Sequence, residues 1–184
     1  MRYFLFFLLI SLASPIWGQR VEYGVKVGGQ VNRLIKSGLG VSDDSNRLVW
    51  GGFVGVKLWG PVSVEFNPMT RRAGYQVEAD LGLSDFRMRI WDFPVLARVE
   101  GPERAGVKPF VSGGYVRRTV RWSGRVPEGM MISTVSQWMN GGAVGGGVSF
   151  KVGRVRIEPE YRYTHVSSWF DFKQAHDIMV GFRF

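Results

Sequence analysis

The chain closes with HDIMVGFRF, residues 176–184, and apolar side chains stand at every second position: Ile178, Val180, Phe182 and Phe184. Successive side chains of a strand point to opposite faces, so a period of two marks a strand with one apolar face. This strand runs to the final residue with no polar tail. An end of that kind predicts that the last strand pairs along both edges, as in a closed barrel, where no edge is left open.

The same period recurs along the chain. Val21, Tyr23, Val25, Val27 and Val31 alternate with Glu22, Lys26 and Gln30. Leu48, Trp50, Val54, Val56 and Leu58 oppose Arg47 and Lys57, and Val155, Ile157, Tyr161 and Tyr163 oppose Arg156, Glu158, Glu160 and Arg162. Eight such segments are predicted: Val21–Leu34, Arg47–Trp59, Pro61–Gly74, Phe86–Glu100, Gly106–Trp122, Ser136–Lys151, Arg154–His165 and Ala175–Phe184. Their connections alternate in length. WGP, GPERAG and VGR are short, whereas IKSGLGVSDDSN, YQVEADLGLSD, SGRVPEGMMISTV and VSSWFDFKQ are long and polar. That pattern predicts an all-β, antiparallel, up-and-down barrel of eight strands, with short turns at the periplasmic end and long loops outside. Pro109 and Pro159, inside predicted strands, point to bulges or local breaks in pairing.

Alternation does not say which face is inside. A secreted, lipocalin-like soluble barrel hides its apolar face, and a membrane barrel shows it. Three features favour the membrane. The polar face carries charges of both signs and the glycines Gly51, Gly55, Gly145 and Gly147, which suit a cramped lumen. Aromatic residues gather near strand ends, with Tyr23, Trp59, Phe110, Phe150, Phe182 and Phe184 at one end and Trp50, Trp122, Trp138 and Tyr163 at the other, as two interfacial belts require. The chain also opens as a secretory signal peptide: Arg2, an apolar run over Tyr3–Leu12, then small residues and a proline to Gly18. Residues 1–18 are therefore expected to be removed and 19–184 to form one barrel domain of about 165 residues. There is no cysteine, so stability rests on the fold alone. The formal charge of +9 falls to +8 with the loss of Arg2. An exported basic chain predicts an anionic membrane partner, such as lipopolysaccharide, rather than nucleic acid.

Several stretches resemble the small outer-membrane β-barrel families of the OmpX/PorT-like type. They are GGFVGVKLWGPVSVEFNPMTRRAGYQ, IWDFPVLARVEG with Asp92-Phe93-Pro94, VKPFVSGGYVRRT with Lys108-Pro109-Phe110, and EPEYRYTH followed by the last strand. The ending Gly181-Phe182-Arg183-Phe184 also resembles the aromatic-x-aromatic assembly signal of outer-membrane barrels. The resemblance extends over nearly all of the chain after the leader. It implies an eight-stranded barrel in a Gram-negative outer membrane, handled by the barrel assembly machinery, with both termini in the periplasm. It implies no single activity, since members serve in adhesion, envelope integrity, secretion or lipid modification. The loops are then the surface for an extracellular ligand that the sequence does not name, and the barrel is expected to be a monomer without cofactor.

Chemistry is sparse. His165 and Ser167 share a strand face, with Asp171 or Asp177 as a nearby acid, and this resembles the His-x-Ser pair of PagL-type lipid A deacylases. Ser168 departs from that pattern, because the family has asparagine there, so the acyl hydrolase stands as the alternative to a non-enzymatic barrel. Two histidines and no cysteine show no metal-ligand spacing. GGAVGGGVSF lacks the lysine and the strand-to-helix setting of a phosphate loop and reads as close strand packing.

Charge is the richer signal. Lys26, Lys57, Glu65, Arg98, Glu100, Arg156, Glu158, Glu160, Arg162 and Arg183 share the polar parity of their strands. The interior of eight strands is just wide enough for side chains. Unpaired charges there cost on the order of several kcal/mol each, so an interlocking ionic plug without large conductance is expected. Arg71, Arg72, Arg87, Arg89, Arg117, Arg118, Arg121 and Arg125 fall near the outer ends of the third to fifth predicted strands, while Asp43, Asp44, Glu78 and Asp80 keep to loop tips. Of these, Arg71, Arg72, Arg87, Arg89, Arg118 and Arg121 are candidates to bind lipopolysaccharide phosphates, for which the guanidinium fork is suited. Arg117 and Arg118 are adjacent, so one of them must point out, and the alternation leaves the lumen-facing parity of the fifth strand open.

Overall fold

The computed structural model describes residues 20–32, 41–43, 47–79, 82–125, 131–167 and 173–184. The described residues form ten strands: β1 (Val21–Gln30), β2 (Val41–Asp43), β3 (Leu48–Trp59), β4 (Val62–Phe66), β5 (Met69–Ala79), β6 (Gly82–Glu100), β7 (Val107–Arg125), β8 (Met131–Val152), β9 (Val155–Val166) and β10 (Gln174–Arg183). Every pairing is antiparallel. β4 and β5 are two halves of one wall strand, and β2 is a short piece laid on β5, with Val41 opposite Val77. The wall is a closed ring of eight: β1, β3, β4 with β5, β6, β7, β8, β9, β10 and back to β1. Closure runs from Gly24 opposite Arg183 to Gln30 opposite Asp177, and the amide of Phe184 donates to the Tyr23 carbonyl at 2.9 Å.

The split of the third predicted segment, Pro61–Gly74, comes from proline chemistry. β4 pairs with β6 as far as Phe66–Val95, and β5 resumes at Met69–Asp92 in the same register. The gap between them holds Pro68 on one side and Pro94 on the other, neither of which has an amide hydrogen to donate. The amide of Asn67 bridges the gap to the Pro94 carbonyl at 3.0 Å. Pro159 interrupts one ladder: β8–β9 pairing lapses between Gly147–Glu160 and Phe150–Ile157, while Val180 still faces Pro159 on the other side. Pro109 causes no break. It sits at the start of β7, opposite Val148, just beyond the last β6–β7 pair. The bulges lie elsewhere, between Lys57 and Trp59 and between Trp122 and Gly124.

Two of the long links are mostly strand. β5 and β6 stay paired out to Ala79–Gly82, and β7 and β8 out to Arg125–Met131. Hairpins that leave the bilayer need no apolar face, so their strands carry no alternation to read. The three short turns use left-handed glycine, with φ of 51° at Gly60, 78° at Gly106 and 62° at Gly153. Glycine takes these angles at no steric cost, and Ala105, at φ 50°, shares the left-handed region beside Gly106.

Inside the barrel, charged and apolar levels alternate along the strands. On β6 the inward residues run Arg98, Leu96, Pro94, Asp92, Ile90 and Met88, all buried. Leu96 packs with Val116 and Ala143, and Val49 with Met69 and Met179. Nearer the long-loop end, Ala73, Met88, Ile90, Val120, Met139 and Val166 form a further apolar cluster. The lumen is thus a layered solid, and its apolar levels go beyond the purely ionic filling expected from the sequence.

Candidate functional site

The lower charged level centres on the last strand. Arg183 donates to Glu22 at 2.7 Å, to Glu158 at 2.9 Å and to Glu65. Arg98 grips Glu158 with both terminal nitrogens, at 2.7 and 2.9 Å, and its guanidinium lies 3.6 Å from the centre of the Phe110 ring. Lys26 donates to Glu160 at 2.6 Å, and Arg162 donates to the same carboxylate at 2.7 and 2.9 Å. Phe53 stands between two cations, 4.5 Å from Arg183 and 5.1 Å from Lys26. The chain offers little room here. A Cβ on Gly147 would come within 2.1 Å of the Pro159 carbonyl oxygen and 2.9 Å of the Phe110 ring.

The upper level is a second, smaller network. Arg71 donates to Asp177 at 2.8 and 3.0 Å, to Asp92 at 2.8 Å and to Gln30 at 2.9 Å. Arg118 donates to Asp92 at 2.5 and 2.9 Å. Among the described residues, six buried cations (Lys26, Arg71, Arg98, Arg118, Arg162, Arg183) face five buried carboxylates (Glu65, Asp92, Glu158, Glu160, Asp177). Glu22, 25 % exposed and bonded to Arg183, is the sixth. The lumen is therefore close to neutral, and the excess positive charge of the chain lies outside it.

Of the ten expected lumen charges, Lys26, Glu65, Arg98, Glu158, Glu160, Arg162 and Arg183 lie in the buried lower network. Lys57, Glu100 and Arg156 sit at the short-turn rim. There Glu100 lies 3.3 Å from Arg98, 3.5 Å from Lys108 and 4.0 Å from the half-exposed Lys57. Arg156 reaches Glu103 at 3.0 Å. A hydrogen bond from Arg156, helped by Lys108, holds the Glu103 carboxyl below its ordinary range.

Three expectations need correction. Arg71 and Arg118 do not reach the outer surface, because their strand parity turns them inward onto Asp92 and Asp177. Asp177 does not join His165 and Ser167. It is buried on the inner face and bound to Arg71, whereas His165 and Ser167 are exposed. Its shared parity with Arg183 marks it as a lumen residue, as Arg71 shares parity with Glu65, and Asp92 with Arg98. Phe110 leaves the aromatic belt to lie under Arg98 in the lumen. Asp171, Asp44 and Asp80, and the side chains of Asp43, Glu78, Trp122 and Arg125, fall outside the described residues.

The exterior is apolar. Val21, Val25, Val27, Val54, Val95, Val99, Val111, Val144, Tyr161 and Ile178 are all exposed. Toward the long-loop end, five laterally paired residues alternate Trp50, Thr70, Trp91, Thr119, Trp138 across β3, β5, β6, β7 and β8. Phe93 stacks 6.2 Å from Trp91, and Arg117 lies 4.5 Å from the Trp138 ring. Two residues further along the strands Arg72, Arg89 and Arg121 pair in a second row, with Arg87 beyond it, and all four are exposed.

A closed ring with charge inside, an apolar wall and a tryptophan belt defines a transmembrane β-barrel and excludes the lipocalin-like reading. Its fold is that of the small outer-membrane barrels. It is similar to Neisserial surface protein A, at 16 % identity and a TM-score of 0.57 over 90 % of this chain and 97 % of that one. OprG of Pseudomonas aeruginosa is similar at 11 % identity and a TM-score of 0.54, covering 90 % and 95 % of the two chains. Ail of Yersinia pestis is matched at 16 % identity and a TM-score of 0.48, over 90 % and 97 %. No family model matches the sequence, and no curated protein does.

Proposed function

We propose that the chain is an integral outer-membrane barrel of structural and binding type, a sealed, non-enzymatic scaffold that presents its long loops outside the cell. The observation that carries this reading is the lumen, where buried guanidinium groups and carboxylates neutralise one another between apolar layers. A conduit for solute would need a continuous wet path, and none fits between Arg71, Asp92 and Asp177 as they are paired. In this reading residues 1–18 direct export and are removed, the assembly machinery reads Gly181, Phe182 and Phe184, and both termini face the periplasm. The barrel acts as a monomer. Its anionic partner is lipopolysaccharide, met by Arg72, Arg87, Arg89 and Arg121 at the depth where that lipid carries phosphate.

The test is electrical and electrophoretic. The mature chain refolded in lipid should migrate in a compact form that heating converts to a slower one. In planar bilayers it should show no openings beyond small, rare ones. A steady porin-sized current would refute the sealed lumen. A water-soluble, detergent-free monomer would refute the membrane barrel. Acyl loss from lipopolysaccharide that Ser167→Ala abolishes would restore the deacylase.

A further inference from the structure

The two exterior rows enclose a cleft of about 350 Å3, lined by Leu48, Trp50, Thr70, Arg71, Arg72, Arg89 and Trp91. Ligand clefts span roughly 300–1,000 Å3, so this one is large enough to seat part of a lipid. Its floor is Thr70, which faces outward yet is only 6 % exposed because indoles flank it on both neighbouring strands. The Thr70 hydroxyl donates to the Ile90 carbonyl at 3.2 Å, so it is already spent and does not call for a polar ligand. The walls are Trp50 and Trp91. The rim toward the long loops is Arg72 and Arg89, directly opposite each other on β5 and β6. The next neighbour in that row is Arg121.

Like charges opposite one another across a ladder are destabilising. Three arginines in consecutive lateral positions therefore need a shared anion or full hydration. Among the described residues no carboxylate lies within ion-pair distance of Arg72, Arg89 or Arg121. The cations rim the apolar cleft on the side of the long loops, away from the middle of the wall. An anion carried on an acyl chain satisfies both halves at once. Its phosphate sits in the arginine forks, and its first methylenes lie on Thr70 between the indoles. A water-soluble anion would leave the tryptophan cleft unused.

We propose that this cleft is a discrete seat for one phosphorylated glycolipid of the outer leaflet, with Arg72 and Arg89 clamping a lipid A phosphate and Trp50, Thr70 and Trp91 holding one acyl chain. The proposal rests on the outer-membrane reading above and narrows it from a basic face to one site of defined stoichiometry. Arg87 and Arg117 lie outside the seat.

Native mass spectrometry of the full mature barrel in neutral detergent tests it, with bisphosphorylated lipid A, dephosphorylated lipid A and phosphatidylglycerol as separate probes. Heat-modifiable migration is scored on every sample. One bisphosphorylated lipid A per barrel is expected. The double variant Arg72→Gln/Arg89→Gln, and separately Thr70→Phe, which fills the cleft without touching charge, should each weaken it at least about tenfold, a loss of about 1.4 kcal/mol. Trp91→Ala removes a wall at an exterior site and should act like Thr70→Phe, which covers the case in which the phenylalanine impairs folding. Dephosphorylated lipid A should bind weakly. Loss on the arginine change with neither cleft variant affected would overturn the seat in favour of a diffuse basic face. Equal binding of phosphatidylglycerol would overturn the assignment to the glycolipid. A folded, heat-modifiable barrel that takes no lipid A would overturn the proposal alone, whereas a chain with no heat-modifiable form would overturn the membrane reading beneath it.

Discussion

Arg183 is the sharpest test of the filled lumen. It is 3 % exposed and lies on Glu22, Glu65 and Glu158 at once. Arg183→Met keeps an unbranched apolar stem beside Phe53 and removes the cation. Breaking a buried ion pair from one side costs about 3–5 kcal/mol, because the partner is left charged and dry. Here the partners keep some company. Glu158 retains the two-pronged grip of Arg98, and Glu65 retains Arg98 at 3.5 Å and Lys26 at 3.8 Å. The loss should therefore fall at the low end, about 3 kcal/mol. Lys57→Met is the matched control. Lys57 is 34 % exposed and 4.0 Å from Glu100, so its loss should be about 0–1 kcal/mol. Reversible urea unfolding in lipid vesicles, followed by tryptophan fluorescence, measures both. High salt should leave the Arg183 penalty intact and erase that of Lys57, since buried pairs are screened far less than exposed ones. If the two variants lose equal stability, or if salt erases the Arg183 penalty, the lumen is wet and the layered plug is wrong.

Asp92→Ala takes a carboxylate from both Arg71 and Arg118, so the upper network should cost about 3–5 kcal/mol in the same assay, and a loss under about 1 kcal/mol would contradict it. Gly147→Ala drives a Cβ into the Pro159 carbonyl and the Phe110 ring and should destabilise by about 1–3 kcal/mol, whereas at Gly113 the nearest atom is 3.6 Å away and alanine should be tolerated. Glu103 provides the pH handle. Its folded value is depressed, so its contribution is present above the ordinary glutamate value of about 4.3 and fades as pH falls through the folded value. An NMR titration of the Glu103 side-chain carboxyl should give a midpoint below that ordinary value, and Arg156→Gln should return it upward; an unchanged midpoint would remove the hydrogen bond as the cause.

The wall was legible because a bilayer imposes alternation. Wherever a strand has lipid on one face and packed lumen on the other, as from Val21 to Gln30 or Ile178 to Arg183, period two names the strand and its inward residues. The same rule hides what it does not govern. The extended hairpins beyond Tyr75 and Trp122 leave the membrane, and nothing forces their residues to alternate. Pro68 was invisible for another reason. A proline inside a strand reads as tolerable or disruptive depending on which neighbour faces its missing donor, and that neighbour, Pro94, is fixed only by register. In the site, parity also contained Arg71, Asp92, Arg118 and Asp177. Arg71 and Arg118 read as rim residues because a pair of adjacent arginines near a strand end looks like a rim, yet only one member of each pair faces out. Arg72 and Arg117 are those members.

The charged levels do something that the backbone ladder cannot. A slip of one residue between β10 and its neighbours would turn every inward residue of β10, Arg183 and Asp177 among them, toward lipid and its apolar residues into the lumen, so parity alone forbids it. A slip of two keeps parity. Every inward residue stays inward, and the ladder can reform with the apolar residues still facing lipid. What changes is reach, because two residues carry Arg183 about 6.6 Å along the strand, out of hydrogen-bond range of Glu65 and Glu158. Asp177 would leave Arg71 in the same motion. These two residues bond across the lumen to β4 and β5, not only to adjacent strands. Their separation on β10 must then match that of Glu65 and Arg71 on the far wall, which are likewise six positions apart. A closing strand that satisfies both levels has one register available, so the buried charges, costly to desolvate, are the element that makes the seam unique.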